Sequence, residues 1–199
     1  MANASVTATN EVFDWKQVMI KRLPFLLVIA VIVLVADQAS KYWAVKNLTH
    51  SFGDQSDWQR FMTAIHPVPK SGITIIGGMW DFQYVENPGA AWGLLSRASE
   101  SFRVPFFLVV SLVASCLILY YYLKAPAHMW MRRWAFALVF GGAIGNFIDR
   151  IRLGYVIDFI DWHWRDSHWP TFNVADAAIS IGVALLLIES FTMKEEKSA

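Results

Sequence analysis

VPFFLVVSLVASCLILYYYL, Val104 to Leu123, contains no Asp, Glu, Lys, Arg or His from end to end and closes on a tyrosine cluster. A helix needs about 20 largely apolar residues to cross the roughly 30 Å core of a bilayer, and tyrosines favour the headgroup level where it emerges. This stretch therefore reads as a membrane span, and three other runs share its character. LPFLLVIAVIVLVA starts at Leu23 and can continue helically to about Asn47, although Asp37, Gln38 and Lys41 interrupt its apolarity. WAFALVFGGAIGNFI, Trp134 to Ile148, is short for a span and rich in small residues that let helices pack closely. The last, around AAISIGVALLLI, covers Val174 to Phe191. The expected spans are thus about 23–47, 104–123, 134–149 and 174–191.

Composition agrees with this reading. Of 199 residues, 56% are hydrophobic and only 17% charged, against about 25% charged in an ordinary soluble domain. A formal net charge of +1 leaves no basic field to hold nucleic acid. The single cysteine, Cys116, excludes an intrachain disulfide and reads as a small buried hydrophobe.

Lys21 and Arg22 before the first run fit a cleaved signal peptide, but the small-residue cleavage pattern is poor and three more apolar runs follow, so a retained span is expected. Four spans put both termini on one side. Raw counts of Lys and Arg do not separate the sides, but Lys16, Lys21, Arg22, Lys124, Arg132, Arg133, Lys194 and Lys197 lie in short segments close to span ends, which marks those segments and both termini as cytoplasmic. The loops of about 48–103 and 150–173 then lie outside. Within the first, TIIGGMWDFQYVENPGAAWGLL reads as short strands and turns, and HSFGDQSDWQRFMTAIHPVPKSG has no strong period. The expected fold is an integral membrane, all-α protein: four transmembrane helices, with a small β-sheet lying on the membrane between helices 1 and 2. With no repeat or linker, residues 1–199 read as a single membrane-embedded domain.

Ionisable groups gather at one end of this bundle. Asp37 and Lys41 lie where the first span leaves, Asn146, Asp149 and Arg150 where the third leaves, and Asn173 and Asp176 where the fourth begins. The outer loops add Glu86, Asn87, Asp158 and Asp161 on the same side. Charges at membrane depth are costly and usually mark a site. Some have ordinary explanations: Asp37 and Lys41 are spaced as a helical i, i+4 pair, and Asn173 with Asp176 resembles a helix cap. Asp158, in the apolar stretch GYVIDFI, has none. Two carboxylates brought together in a dry site cannot easily both ionise, so one keeps its proton while the other acts as base, the chemistry of an aspartyl hydrolase. Asp158 with Asp176 is the preferred pair, and Asp149 and Asp37 compete with it; composition does not choose among them. His163 and His168, flanked by tryptophans, read as interfacial aromatics rather than ligands, and no HExxH or Cys/His spacing supports zinc.

The blocks ADQASKYWA (Ala36 to Ala44), VENPGAAWGLL (Val85 to Leu95), GGAIGNFIDRIRLGYVIDFID (Gly141 to Asp161) and FNVADAAISIG (Phe172 to Gly182) together resemble the lipoprotein signal peptidases of bacteria, also called signal peptidase II. The resemblance implies a four-span inner-membrane aspartic endopeptidase with both termini cytoplasmic and a small periplasmic β-sheet between helices 1 and 2. Its substrate would be a diacylglyceryl-modified prolipoprotein, cut on the N-terminal side of the lipidated cysteine. It places the catalytic dyad on Asp158 and Asp176. Asp37, Lys41, Asn87, Gly89, Ala90, Gly142, Asn146, Asp149, Arg150, Asn173 and Ala175 match supporting positions, and Arg150 is expected to contact a phosphate or carbonyl. It implies no cofactor, membrane lipid as a partner, and a monomer. The chain departs from the family in an extra stretch near His50 to Gly72 and in Trp92, where Phe is common. A proton-coupled carrier would also hold Asp and Arg in a bundle, but such carriers place them at the midplane between repeated halves.

Overall fold

Leu26, Ala30, Val33, Asp37, Lys41, Ala44, Val45 and Leu48 recur every three to four residues along the first helix and are all buried, whereas Leu27, Val28, Val31, Ile32 and Val35 between them are exposed. One face thus packs inward and carries the polar residues with it, while the other is a continuous apolar surface suited to lipid. In a computed structural model describing residues 15–52, 58–63, 65–89, 94–126 and 128–196, this helix, α1, runs Trp15–Leu48. It is followed by α2 (Trp58–Thr63), β1 (Ile73–Ile76), β2 (Trp80–Asn87), α3 (Glu100–Lys124), α4 (Trp130–Leu153), β3 (Val156–Trp164), β4 (Ser167–His168) and α5 (Val174–Glu196). Four of the helices, α1, α3, α4 and α5, are long and apolar enough to cross a membrane.

All four expected spans are present, and each helix extends beyond the apolar run that marked it. The third is not short: with 24 residues, α4 is about 36 Å long. Its ends are polar and aromatic, so hydropathy alone truncates it. Cys116 is exposed rather than buried; it sits on the outward face of α3 with Leu112, Val113 and Leu117.

α4 is the centre of the bundle and packs most extensively on α5, then on α1 and α3. Its small residues permit this. A Cβ on Gly141 would lie 2.9 Å from Val33 of α1, and one on Gly142 would lie 2.8 Å from Ile179 and against the Ala175 carbonyl of α5. At the other end of α1, the Tyr122 hydroxyl donates to the Arg22 carbonyl at 2.7 Å, and the Arg22 guanidinium donates to the Leu123 carbonyl at 2.6 Å.

The sheet has strand order β1-β2-β3-β4, antiparallel throughout. β1 and β2 lie between the first two spans as expected. β3 and β4 come from the connection between the third and fourth spans, a contribution the apolar segment GYVIDFI did not announce. Gly154, at φ 78°, caps α4 with its N–H on the Arg150 carbonyl. This left-handed turn, which glycine adopts without a Cβ clash, sends the chain into β3. After β4 the chain returns to β3: Phe172 and Ile160 exchange backbone hydrogen bonds of 3.1 and 2.9 Å. Asn173 and the start of α5 are thereby delivered beside Asp158. Phe52, Phe61, Tyr84, Tyr155, Ile157 and Phe159 form a core where the sheet meets the end of α1. Part of the extra stretch belongs to this core, because Phe61 of α2 is buried and the Arg152 guanidinium lies 4.1 Å from its ring centroid.

Candidate active site

Lys41 has no exposed surface and reaches three partners: Asp37 Oδ2 at 2.8 Å, Asp149 Oδ2 at 2.8 Å and Asn146 Oδ1 at 3.2 Å. Asp37 uses its other oxygen to accept the Ala175 N–H at 3.0 Å, in the first turn of α5. Asp149 accepts the Ile157 N–H at 3.3 Å and lies 3.5 Å from Arg152. A single buried ionic network therefore ties α1, α4, α5 and β3 together. Gln38 bridges the two carboxylates at 3.1 Å each. Sequence reading noted Gln38 only as a break in apolarity, and Arg152 not at all. The signal for Gln38 was its place beside Asp37 in a helix otherwise fit for lipid.

Asp158 and Asp176 stand next to this network and share its amides. Asn173 donates from its side chain to Asp158 Oδ1 at 2.7 Å and from its backbone N–H to Asp176 Oδ2 at 3.3 Å. Asn146 donates to Asp176 Oδ1 at 2.7 Å, and its own oxygen accepts from Asn173 and Lys41. Asn87 donates to Asp158 Oδ2 at 2.9 Å. That contact follows from strand register, since Asn87 pairs with Val156 and Asp158 lies two residues along on the same face. Asp158 is buried and Asp176 only partly so. Burial, and next the negative charge of Asp176, push the Asp158 carboxyl up to about 8. This shift favours the protonated form of Asp158, which suits the acid half of an aspartyl pair.

The capping explanation is also correct. Asp176 N–H donates to Asn173 Oδ1 at 2.9 Å while Asp176 accepts from Asn173 N–H, a reciprocal box at the start of α5. It does not account for Asp158, which takes its partners from β2 and from Asn173. Asp37 and Asp149, the competing carboxylates, have no exposed surface and are bound to Lys41.

The other expected positions arrange themselves around the pair. Arg150 donates to the Gly89 carbonyl at 2.9 Å and lies 5.0 Å from the Phe107 ring centroid, so its carbonyl contact is with this chain's own backbone. Gly89 in turn donates to Asn87 Oδ1 at 3.1 Å, which fixes the amide that Asn87 offers to Asp158. Gly142 lets α4 approach Ala175 closely. Ala90 and Trp92 lie outside the described residues. Glu86 is not in the site; it faces His66 at 2.6 Å. Asp161 is not there either, and is held by Gln83 at 2.8 Å and His168 at 3.0 Å. An open cleft of about 760 Å³, lined by His66, Glu100, Val104, Arg150 and Arg152 among others, runs beside the site without reaching either carboxylate of the pair.

The family model described as signal peptidase (SPase) II matches residues 29–192, a stretch that contains both carboxylates of the pair and the ionic network around Lys41. The chain belongs to the signal peptidase II family. Lipoprotein signal peptidase of Anaeromyxobacter sp. (strain Fw109-5) is 44% identical over 89% of this chain and 92% of its own length. That of Syntrophus aciditrophicus (strain SB) is 39% identical over 89% of this chain and 99% of its own. Among solved structures, a bacterial membrane enzyme obtained by the in meso method superposes with a TM-score of 0.68 at 28% identity, covering 88% of this chain and 92% of that one. As a member of the signal peptidase II family, the chain is a multi-pass membrane protein and an aspartic peptidase.

Proposed function

We propose that this enzyme removes signal peptides from diacylglyceryl-modified prolipoproteins by cutting on the N-terminal side of the lipidated cysteine, with Asp158 and Asp176 as its catalytic dyad. The observation that carries the reading is the convergence of one buried and one partly open carboxylate, from β3 and α5, on the single residue Asn173.

Asp176, ionised, takes a proton from a water held between the pair as that water attacks the scissile carbonyl. Asp158, protonated, donates to the carbonyl oxygen and stabilises the tetrahedral intermediate. Collapse returns a proton to Asp158 from the intermediate and passes the proton on Asp176 to the leaving amine, so the dyad ends as it began. Asn87, Asn146 and Asn173 hold the two carboxylates in place, and Asp37, Lys41 and Asp149 fix the helices that carry them. Gly89, Gly142, Arg150 and Ala175 shape the surrounding backbone. Residues 1–199 act as one domain and as a monomer in the bacterial inner membrane. Both termini are cytoplasmic, the dyad lies near the periplasmic face, and membrane lipid surrounds the helices. No cofactor takes part.

Cleavage of a diacylglyceryl-modified lipobox peptide by purified protein in detergent tests this reading, with Asp158→Asn and Asp176→Asn beside wild type. Cleavage before the modified cysteine by wild type alone is expected. Near-normal turnover in either variant would refute the dyad.

A further inference from the structure

Asp161, His163 and His168 come together on the sheet, away from the dyad, with ligand-capable atoms all within 4.8 Å of one another. Among the described residues this is the one such group of three. The two imidazoles stack with centroids 4.7 Å apart, and both turn Nδ1 toward the Asp161 carboxylate, His168 at 3.0 Å and His163 at 3.8 Å. Asp161 is buried, and its orientation is fixed by the Gln83 amide at 2.8 Å.

Two features are unexplained by a simple ion pair between His168 and Asp161. The His163 side chain is only 7% exposed, yet its Nδ1 has no hydrogen-bond partner among the described residues and points into the cluster. A buried polar atom left in this way is costly unless something else satisfies it. In addition, Asp81 and Asp161 are direct cross-strand partners of β2 and β3, an arrangement of like charges that destabilises a sheet. A cation removes both difficulties. His163 would ligate through Nδ1 while Nε2, 3.9 Å from Asp81, faces a carboxylate that sets its tautomer, a common arrangement behind metal-bound histidine.

We propose that Asp161, His163 and His168 bind one divalent transition-metal ion of the zinc class. Two imidazoles and one carboxylate suit such an ion, whereas magnesium and calcium prefer oxygen donors throughout. Tetrahedral ligation at about 2.0–2.2 Å separates ligand atoms by roughly 3.4 Å, so the cluster tightens by little more than about 1 Å on binding. His168, half exposed at 52%, lies on the side from which the ion enters. Bound there, the ion fastens β4 to β3 just before the chain returns through Phe172 to Asn173.

The test is titration of chelator-stripped protein, purified without a histidine tag, with zinc chloride by calorimetry, with bound metal counted by mass spectrometry. One equivalent is expected, with no competition from excess magnesium. His163→Gln and His168→Gln should each weaken binding at least about 10-fold, the scale seen when the surroundings of a metal ligand are altered. His168 is exposed enough for its variant to fold, so that variant decides the matter if His163→Gln does not. A wild type that takes up no stoichiometric zinc, or a folded His168→Gln that binds as tightly as wild type, would overturn the proposal.

Discussion

Replacing Lys41 by Met exposes how the buried network is balanced. Lys41 contacts Asp37 and Asp149 at 2.8 Å each, and none of the three side chains is exposed. At an effective dielectric of 20 each contact is worth about 6 kcal/mol before desolvation is counted. Much of that is offset because Lys41 no longer has to be buried, and breaking a buried pair by removing one partner typically costs about 3–5 kcal/mol. The structure supplies a second, opposite expectation for Asp37→Asn added to Lys41→Met. The double variant leaves Asp149 with Arg152 at 3.5 Å, and the new amide oxygen can still accept the Ala175 N–H. The second substitution should therefore recover about 2 kcal/mol, because one fewer unpaired carboxylate stays buried. Thermal unfolding in detergent, followed by the folded fraction on size exclusion, should show the single variant lower by on the order of 10 °C and the double variant partly restored. A double variant less stable than the single one would refute the view that Lys41 acts by neutralising carboxylates.

Cleavage should fall as pH rises through about 8, where Asp158 gives up the proton it needs; a pH profile of kcat/KM, which reports groups of the free enzyme, measures this. By the same shift, protonated Asp158 contributes stability that is fully present below about 3.8 and lost as pH rises to about 8. Gly142→Ala should cost about 1–3 kcal/mol by overpacking against Ala175 and Ile179, and should lower kcat as well by displacing the first turn of α5; stability and turnover assays together check both. Phe61→Ala should cost about 3–5 kcal/mol, read by the same unfolding assay, since that ring is buried beside Tyr42 and under Arg152.

The sequence made the spans legible because lipid imposes a coarse demand, length without charge, that a linear scan detects. It made the converging end legible too, since topology places Asp37, Asn146, Asp149, Asn173 and Asp176 on one side. The choice among carboxylates depended on distances between segments far apart in the chain. Asp37 and Asp149 differ from Asp158 in being bound to Lys41, and spacing along the chain shows only the Asp37 half of that arrangement. The strand β3 was hidden because the apolar run before Trp162 has no strict alternation. Its Val156, Ile157, Asp158 and Phe159 are all buried, on both faces of the sheet. The grouping of His163 with His168 was hidden for a related reason, since it arises only when the hairpin closes and pairs them across two strands.

The spacing of Asp37 and Lys41 also bears on how the chain is built into the bilayer. Lys41 lies four residues after Asp37 on the same helix and touches it at 2.8 Å, so α1 carries its own counter-ion. A newly synthesised α1 can bury this part of its length in the bilayer with the two charges already paired, before α4 and α5 have been translated. Asp149 arrives later with Arg152 three residues beyond it, again as a matched pair. The four-charge network thus forms from two neutral pairs when the helices meet.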